Sequence, residues 1–389
     1  MILLVFVLAL LVAAPTAQAQ ERQEHSGWSW SADANAFFGF NYQQRKFRDF
    51  STWESQNWFM VDGRRAVGPG TLAIHSMLSL EPFTIQALGS PQVFQTGEAY
   101  HGFANRDRQH PHDLVMGLGV RYSVDREHVG YFLEVDAVGA PALGPTPFMH
   151  RESSRENLQP PLSHHNLDST HITPGVLTAG VAATDFTVAA SWFRGEEPND
   201  NRTNIDRPTL DSWSIRAAWQ RGPWRAQVSG GQLHRPEIWE RTGMKRVTAS
   251  IEFDGQLGTR DVAATAAWGQ NREIHGILDA YLVDWTIQAT TRGRFFGRAE
   301  TLAKDLLDIG GLDPPGFVHF HRISHIAAVT AGYTHDVWRT RWGWIGGGAD
   351  ATLYRVSENL SDPYGSPHSF HVFVRYRPAR RAGAPAHIH

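Results

Sequence analysis

The chain of 389 residues contains no cysteine, and its 36 lysine and arginine residues nearly balance 39 aspartate and glutamate residues. The lack of cysteine excludes disulfide frameworks, iron–sulfur clusters and thiolate zinc sites, and the near-neutral charge argues against nucleic acid as a partner. The length would allow two ordinary domains, but a large all-β barrel of this size is one domain.

The N-terminus has the pattern of an export signal. An apolar run from Ile2 to Ala14 is followed by Ala17-Gln18-Ala19, which places small residues before a cleavage point. This is the pattern of a cleaved secretory signal, whereas a membrane anchor would need about 18 or more apolar residues. We therefore predict a signal peptide at residues 1–19, a barrel domain at residues 20–378 and a loose C-terminal tail at residues 379–389.

Apolar and polar residues alternate along most of the remaining chain, and helical periodicity is almost missing. In residues 210–220 one face carries Trp213, Ile215, Ala217 and Trp219. Side chains alternate faces along a strand, so each such segment has one apolar and one polar face. The alternation predicts about sixteen strands. They lie near residues 28–40, 56–63, 70–81, 113–123, 129–138, 172–182, 185–194, 210–220, 224–234, 245–254, 260–270, 279–290, 293–304, 324–336, 341–354 and 368–378.

Two features favour a transmembrane antiparallel β-barrel over a soluble β-sandwich. The segments are about ten residues long and carry aromatic residues near their ends, as membrane strands with aromatic girdles do. Short links also alternate with long ones, as periplasmic turns and outer loops do in bacterial barrels. The long links are 41–55, 82–112, 139–171, 195–209, 305–323 and 355–367. We therefore predict an all-β fold, a barrel of about 16 strands (about 14–18) in the outer membrane of a Gram-negative cell.

This location implies a set of partners. Outer-membrane lipid and lipopolysaccharide would cover the apolar face, and the barrel assembly machinery would insert the chain. The last strand has the alternation of a final barrel strand, with Phe370, Val372, Val374 and Tyr376 on the outward face, but the chain continues to His389. Small solutes would be the cargo, and a homo-oligomer is an open alternative for a barrel of this size.

Charged residues fall on the polar face of many predicted strands. A soluble core could not bury so many charges unpaired, whereas a barrel of sixteen strands normally leaves room for an aqueous channel. We expect these residues to line the lumen, and the alternative is a charge network that fills it. The residues are Arg121, Glu134, Asp136, Arg216, Arg225, Glu252, Asp284, Arg298, Glu300 and Arg375.

Histidines are concentrated in two of the long links. Imidazole suits copper, zinc and nickel, and carboxylate oxygens complete such shells, so copper or zinc is a candidate ligand, although no cofactor is established. His110 and His112 do not easily bind one ion across Pro111, so we expect a site that draws on both links. The candidate metal ligands are His110, His112, Asp113, His150, His164, His165, Asp168 and His171.

Other interpretations of these residues stay open. They include ordinary loop histidines satisfied by water, a non-conducting structural barrel, and a barrel hydrolase that uses the Ser/His/Asp residues of the 150–171 loop. Ser163 and Ser169 lie beside histidines, as a nucleophile and its base require. No elbow-type motif surrounds either serine, and catalytic triads are recognised by geometry. We therefore assign no catalytic residue and predict that the protein is not an enzyme.

Three motifs are similar to those of a known family. GSPQ-x-x-QTGE at residues 89–98, RQHPHD at 108–113 and LSHH-x-x-DSTHI at 162–172 resemble a poorly characterised family of proteobacterial outer-membrane β-barrels. With the flanking strands, the resemblance covers most of the mature chain. It implies a barrel in the outer membrane, and the association of some members with heavy-metal resistance favours metal ligands. We predict a porin-like barrel that passes or handles small solutes.

Overall fold

The computed structural model describes residues 27–237, 242–305, 307 and 323–378, which form a closed antiparallel β-barrel. The predicted signal peptide (1–19) and C-terminal tail (379–389) lie outside the described residues. Both ends of the barrel, Ser29 and Pro378, lie on the side of the short turns, which is the periplasmic side in bacterial barrels. In the described part of the chain, no helix is long and apolar enough to cross a membrane.

Seventeen strands form the wall of the barrel. They are β1 (Ser29–Arg45), β2 (Arg48–Glu54), β3 (Asn57–Val67), β4 (Gly70–Leu78), β7 (Val115–Arg126), β8 (Val129–Gly139), β9 (Thr173–Ala183), β10 (Phe186–Phe193), β11 (Ser212–Arg221), β12 (Trp224–Leu233), β13 (Met244–Leu257), β14 (Arg260–Glu273), β15 (Gly276–Gln288), β16 (Gly293–Lys304), β17 (Ser324–Arg339), β18 (Gly343–Val356) and β19 (His368–Pro378). A separate hairpin consists of β5 (Ser90–Tyr100) and β6 (Phe103–Gln109). The described links contain α-helical turns at Glu81–Thr84, His164–Leu167 and Glu358–Tyr364 and a 3₁₀ turn at Ser169–Ile172.

The seventeen strands occupy sixteen places around the barrel, because β2 and β3 lie end to end beside β1. β2 pairs with the outer half of β1, and β3 pairs with its periplasmic half. β1 also pairs with β19, which closes the barrel. The predicted strand number and antiparallel barrel are therefore confirmed.

The predicted long link at 41–55 is wrong. β1 continues to Arg45, and β2 begins at Arg48 after a tight turn. The sequence looked loop-like because Asn41 and Gln43 are polar, yet both side chains are buried inside the barrel. Their amides pair with the backbone of the β5–β6 hairpin, at Pro91 and Val93 respectively. The predicted long link at 82–112 likewise contains that hairpin.

The outward face of the wall is apolar and exposed, as the alternation predicts. Trp213 of β11 is 51% exposed and Val228 of β12 is 59% exposed. A contiguous exposed apolar surface of this kind is typical of a membrane-facing band. Met116 breaks the pattern and is only 2% exposed. Register shifts at Met77/Leu78 and at Leu118/Gly119 explain this, because a bulge reverses which face the next residue occupies.

Val228→Arg is expected to lower the free energy of unfolding by about 2–4 kcal/mol, because arginine near the bilayer midplane must leave water. Val228 lies in the middle of β12 and faces outward. Urea titration of the barrel in lipid vesicles measures the change, with Val228→Leu as the size-matched apolar control. An arginine variant as stable as the control would mean that this face is in water.

Candidate functional site in the barrel lumen

The long link between β8 and β9 folds into the barrel, and we call residues 140–172 the plug. Every residue of the plug is buried or half-buried. Its prolines, which include Pro160 and Pro161, cannot donate to a strand ladder, so the segment forms compact turns. Gly144 has a φ of +89°, and a Cβ there would overlap the carbonyl oxygen of Leu167. Two plug turns therefore pack directly against each other.

Arg151 connects the plug to the barrel wall. Its side chain is fully buried, and its guanidinium lies 2.8 Å from the Asp168 carboxylate of the plug and 3.2 Å from Asp284 of β15. Burial acts to raise the pKa of Asp168, but Arg151 and His164 outweigh that effect and hold the pKa well below its ordinary value. Asp168 is therefore ionised, and its two carboxylate oxygens contact Arg151 and His164 of the plug.

Two further wall residues hold the other half of the plug. Arg298 of β16 donates to the carbonyl of Gln159 at 3.0 Å and to the Ser154 hydroxyl at 2.7 Å. Glu300 accepts hydrogen bonds from the backbone N–H and the hydroxyl of Ser163, at 2.9 and 2.7 Å. Since all these groups are buried, each bond is expensive to lose.

The structure thus places the predicted lumen residues inside the barrel, where most of them hold the plug. Arg216 donates to the carbonyl of Gly144, Thr146 donates to Glu252, and Arg375 pairs with Glu156. Arg225 lies opposite Glu252 in the wall register. Arg121, Glu134 and Asp136 face a cavity beside the plug. The arrangement is closer to a charge network than to the lining of a wide channel.

The β5–β6 hairpin covers the outer mouth from the inside. Lys304 of β16 donates to the side-chain oxygen of Gln95 at 2.8 Å, and Arg45 lies 2.9 Å from Asp107. Phe94 stacks on Tyr364 with ring centroids 4.4 Å apart. The RQHPHD segment begins in the last two residues of β6 and places His112 against Phe148 of the plug.

Three of the predicted ligands gather around Phe148, and we call His112, His164 and His171 the histidine cluster. Ring centroids lie 5.1 Å apart for His164 and His171 and 5.6 Å apart for His112 and His171. The Phe148 ring contacts all three. The two links predicted to supply a joint site therefore meet inside the barrel.

Each imidazole of the cluster is held through Nδ1. The partners are the Glu81 carboxylate for His112, the Asp168 carboxylate for His164 and the Asp168 carbonyl for His171, at 2.8, 2.6 and 2.8 Å. Metal-binding histidines typically make this contact, which orients the other nitrogen for the ion. Nε2 of His171 is buried without a hydrogen-bond partner.

Burial keeps two rings of the cluster uncharged. It lowers the pKa of His164 to about 4, although Asp168 acts in the opposite direction. Burial, together with His164 and His112, also lowers the pKa of His171 well below its ordinary value. Neutral imidazole is the form that binds a metal ion. His164 and His171 are therefore in the uncharged form that a metal ion requires.

His165 also contacts the histidine cluster, since its ring centroid lies 5.6 Å from that of His164, and the remaining predicted ligands have other partners. His165 approaches Glu237 at 3.4 Å and Glu197 at 3.8 Å, which places a second His/carboxylate group toward the outer links. His110 contacts the carbonyl of its neighbour Pro111, and His150 packs on Trp58. Asp113 pairs with Arg202 at 3.3 Å, and burial raises its pKa.

Sequence reasoning missed Glu81, which positions His112, and His75, which lies in β4. Glu81 is a single carboxylate in a one-turn helix, and His75 is a single polar residue in a strand. Neither residue belongs to a motif. The only feature that could have identified His75 is its position on the inward face of a predicted strand.

The two serines considered as nucleophiles have other partners. The Ser163 hydroxyl donates to Glu300, and the Ser169 hydroxyl accepts a hydrogen bond from Arg246 at 3.1 Å. A serine nucleophile needs an adjacent base that takes its proton, normally a histidine. The contacts described for these two serines give no support to a hydrolase.

Comparison with solved structures gives similar barrels. An anion-selective porin from Comamonas acidovorans has a TM-score of 0.51 and 11% identity, over 90% of this chain and 100% of that chain. OmpF of Salmonella typhi in complex with daunomycin has a TM-score of 0.52 and 10% identity, over 90% and 97%. A loop L8 deletion mutant of Vibrio cholerae OmpT has a TM-score of 0.51 and 10% identity, over 90% and 99%. At these identities the shared property is the fold, a porin-like sixteen-stranded barrel.

No family model matches the sequence, and no curated protein matches it. The resemblance to the metal-associated outer-membrane family therefore stays a prediction.

Proposed function

We propose that the chain is a porin-like barrel of the outer membrane that handles small solutes, and that transition-metal cations bound at the plug are among them. The proposal is supported by the fold, by the apolar outward face and by the plug inside the lumen. The observation that carries it is the histidine cluster, in which residues from two separate links meet inside the barrel. Outer-membrane lipid, lipopolysaccharide and the assembly machinery are the partners that this location entails.

The donor chemistry of the cluster fits a first-row metal. Nitrogen ligands suit copper and zinc. Two imidazoles that bind one tetrahedral zinc ion through bonds of roughly 2.1 Å place their ring centres about 5 Å apart. The observed ring separations of 5.1 and 5.6 Å are near that value, but the three sets of ring nitrogens do not lie within 4.8 Å of one another, so the rings would turn as an ion binds. Asp168 would act as a positioning group, since its carboxylate already serves Arg151 and His164.

Space for a small solute lies next to the cluster. A cavity of about 320 Å³ separates the plug from β3, β4, β7 and β8, and His171 and His150 line its plug side. A cation at His171 would therefore leave the cluster into a polar space inside the barrel. The plug would block larger solutes, because none of its residues is exposed and its turns pack against the wall.

Planar-bilayer recording of the refolded barrel tests this function. We expect a small stable conductance that zinc or copper reduces and a chelator restores, since an ion on the cluster would occupy the path beside the plug. Magnesium at the same concentration is the control for charge, because it prefers oxygen ligands. A conductance indifferent to zinc would leave a general porin, and no conductance at all would contradict the proposal.

A further inference from the structure

We infer that the barrel wall carries a second divalent-cation site, formed by His75, Glu134 and Asp136, which we call the wall site. Cation binding at the wall site does not depend on the proposed function. The role of the wall site in cation passage rests on it. His75 belongs to β4 and the two carboxylates belong to β8, with β7 between them. Gly119 of β7 lies opposite both His75 and Asp136 in the register.

The three side chains surround one small volume. One ligand atom from each residue lies within 4.8 Å of the other two. The His75 ring nitrogens lie 3.6 Å from Asp136 and 3.9 Å from Glu134, which is too long for hydrogen bonds. A nitrogen with two carboxylate oxygens is a donor set that suits zinc and other first-row divalent metals.

Asp136 points to a ligand independently of that geometry. It is only 4% exposed, and its Oδ1 is buried without a hydrogen-bond partner. A buried polar oxygen left without a partner costs about 1–3 kcal/mol. A cation between Asp136 and His75 would supply the missing partner.

Two glycines make room for this carboxylate. A Cβ at Gly119 would overlap Asp136 Oδ1, and a Cβ at Gly139 would overlap Asp136 Oδ2. The same Cβ at Gly119 would lie 2.6 Å from the His75 ring. Glycine in a strand interior normally weakens it and often marks a close approach of other groups. Here the backbone leaves the space that brings Asp136 and His75 together.

Charge and position also favour a cation. Arg121 lies 3.7 Å from the second oxygen of Glu134 and packs on Phe132, so it balances one carboxylate of the wall site. The same cavity exposes further acidic and basic groups. Its charged lining comprises Asp62, Arg64, Arg121, Asp125, Glu134 and Asp136. Four acidic side chains against two guanidinium groups favour the entry of a cation into this space.

The cavity connects the wall site to the plug. His75, Glu134 and Asp136 line its wall side, and His171 of the histidine cluster lines its plug side. A cation released by the cluster therefore meets a second set of donors within the same cavity. Passage would then use two successive binding sites, the histidine cluster and the wall site.

Zinc stoichiometry of the refolded full barrel tests the wall site, measured by calorimetry and by metal analysis after gel filtration. We expect His75→Ala to bind one zinc equivalent less than the wild type. Gly119→Ala is expected to lose the same equivalent without removing any donor. Gly230→Ala is the matched control, since its Cβ would come no closer than 3.6 Å to any other group. Heat-dependent mobility on gels confirms that each variant is folded.

The outcomes separate this inference from the proposed function. A His75→Ala barrel that binds as much zinc as the wild type overturns the wall site, whatever the plug does. If His75→Ala loses one equivalent and His164→Ala loses none, the wall site stands and binding at the histidine cluster fails. A wild type that binds no zinc overturns both.

Discussion

Replacing Arg151 by alanine is expected to raise the single-channel conductance several-fold, because the plug loses its central attachment to the wall. The Arg151 guanidinium is fully buried between Asp168 and Asp284. Breaking a buried ion pair by removing one partner costs about 3–5 kcal/mol, since the remaining charge is left uncompensated in a poorly solvated place. In this variant Asp168 and Asp284 both lose their arginine, and Asp168 keeps only the His164 imidazole.

The barrel itself should survive this change. Its strands are joined by closed backbone hydrogen bonding, which does not depend on the plug. The least costly response is for the plug to move outward, so that water reaches Asp168 and Asp284. The lumen would then widen, and the conductance would report it directly.

Two variants control the experiment. Arg221→Ala removes an arginine whose side chain is 77% exposed beside a short turn, and its conductance should equal that of the wild type. Arg151→Lys keeps the charge but loses the forked geometry, so it should give an intermediate value. If the folded Arg151→Ala barrel conducts like the wild type, the plug does not set the width of the path.

The sequence predicts the wall well because the membrane imposes a period of two. The segments expected at 210–220 and 224–234 are observed as Ser212–Arg221 and Trp224–Leu233. One residue in two must be apolar where a strand faces lipid, and that pattern is readable without any knowledge of contacts. The prediction fails at 41–55, where inward polar side chains pair with another link and therefore resemble a loop.

The site was predictable only in part. The motifs RQHPHD and LSHHNLDSTHI mark the links from which the cluster is drawn. The choice of His112, His164 and His171 among the candidates depends on how the plug turns around Phe148. Contacts of that kind join residues far apart in the chain, and no local spacing encodes them. The alternation of the strands predicts which charged residues point inward. It does not predict that these residues hold the plug, because those contacts are also between residues far apart in the chain.

His164→Ala is expected to raise the zinc concentration needed for half-maximal block by on the order of 100-fold or more. Loss of a group that merely orients a ligand typically costs 10–100-fold in metal affinity, and His164 would be a ligand itself. Planar-bilayer titration measures the shift. His128→Ala is the matched control, because His128 lies exposed in the short turn between β7 and β8 and should leave the block unchanged.

Ser163→Ala, tested beside His164→Ala, separates a metal-ligand role of His164 from a supporting role in the plug. The Ser163 hydroxyl bonds to Glu300, while the His164 imidazole bonds to Asp168. The serine variant should therefore keep the wild-type zinc response, since its backbone N–H still holds the plug to Glu300. Equal loss of the zinc response in both variants would show that His164 supports the plug and does not bind the ion. A loss confined to His164→Ala would identify its imidazole as a ligand, because the neighbouring turn and its wall contact would be intact.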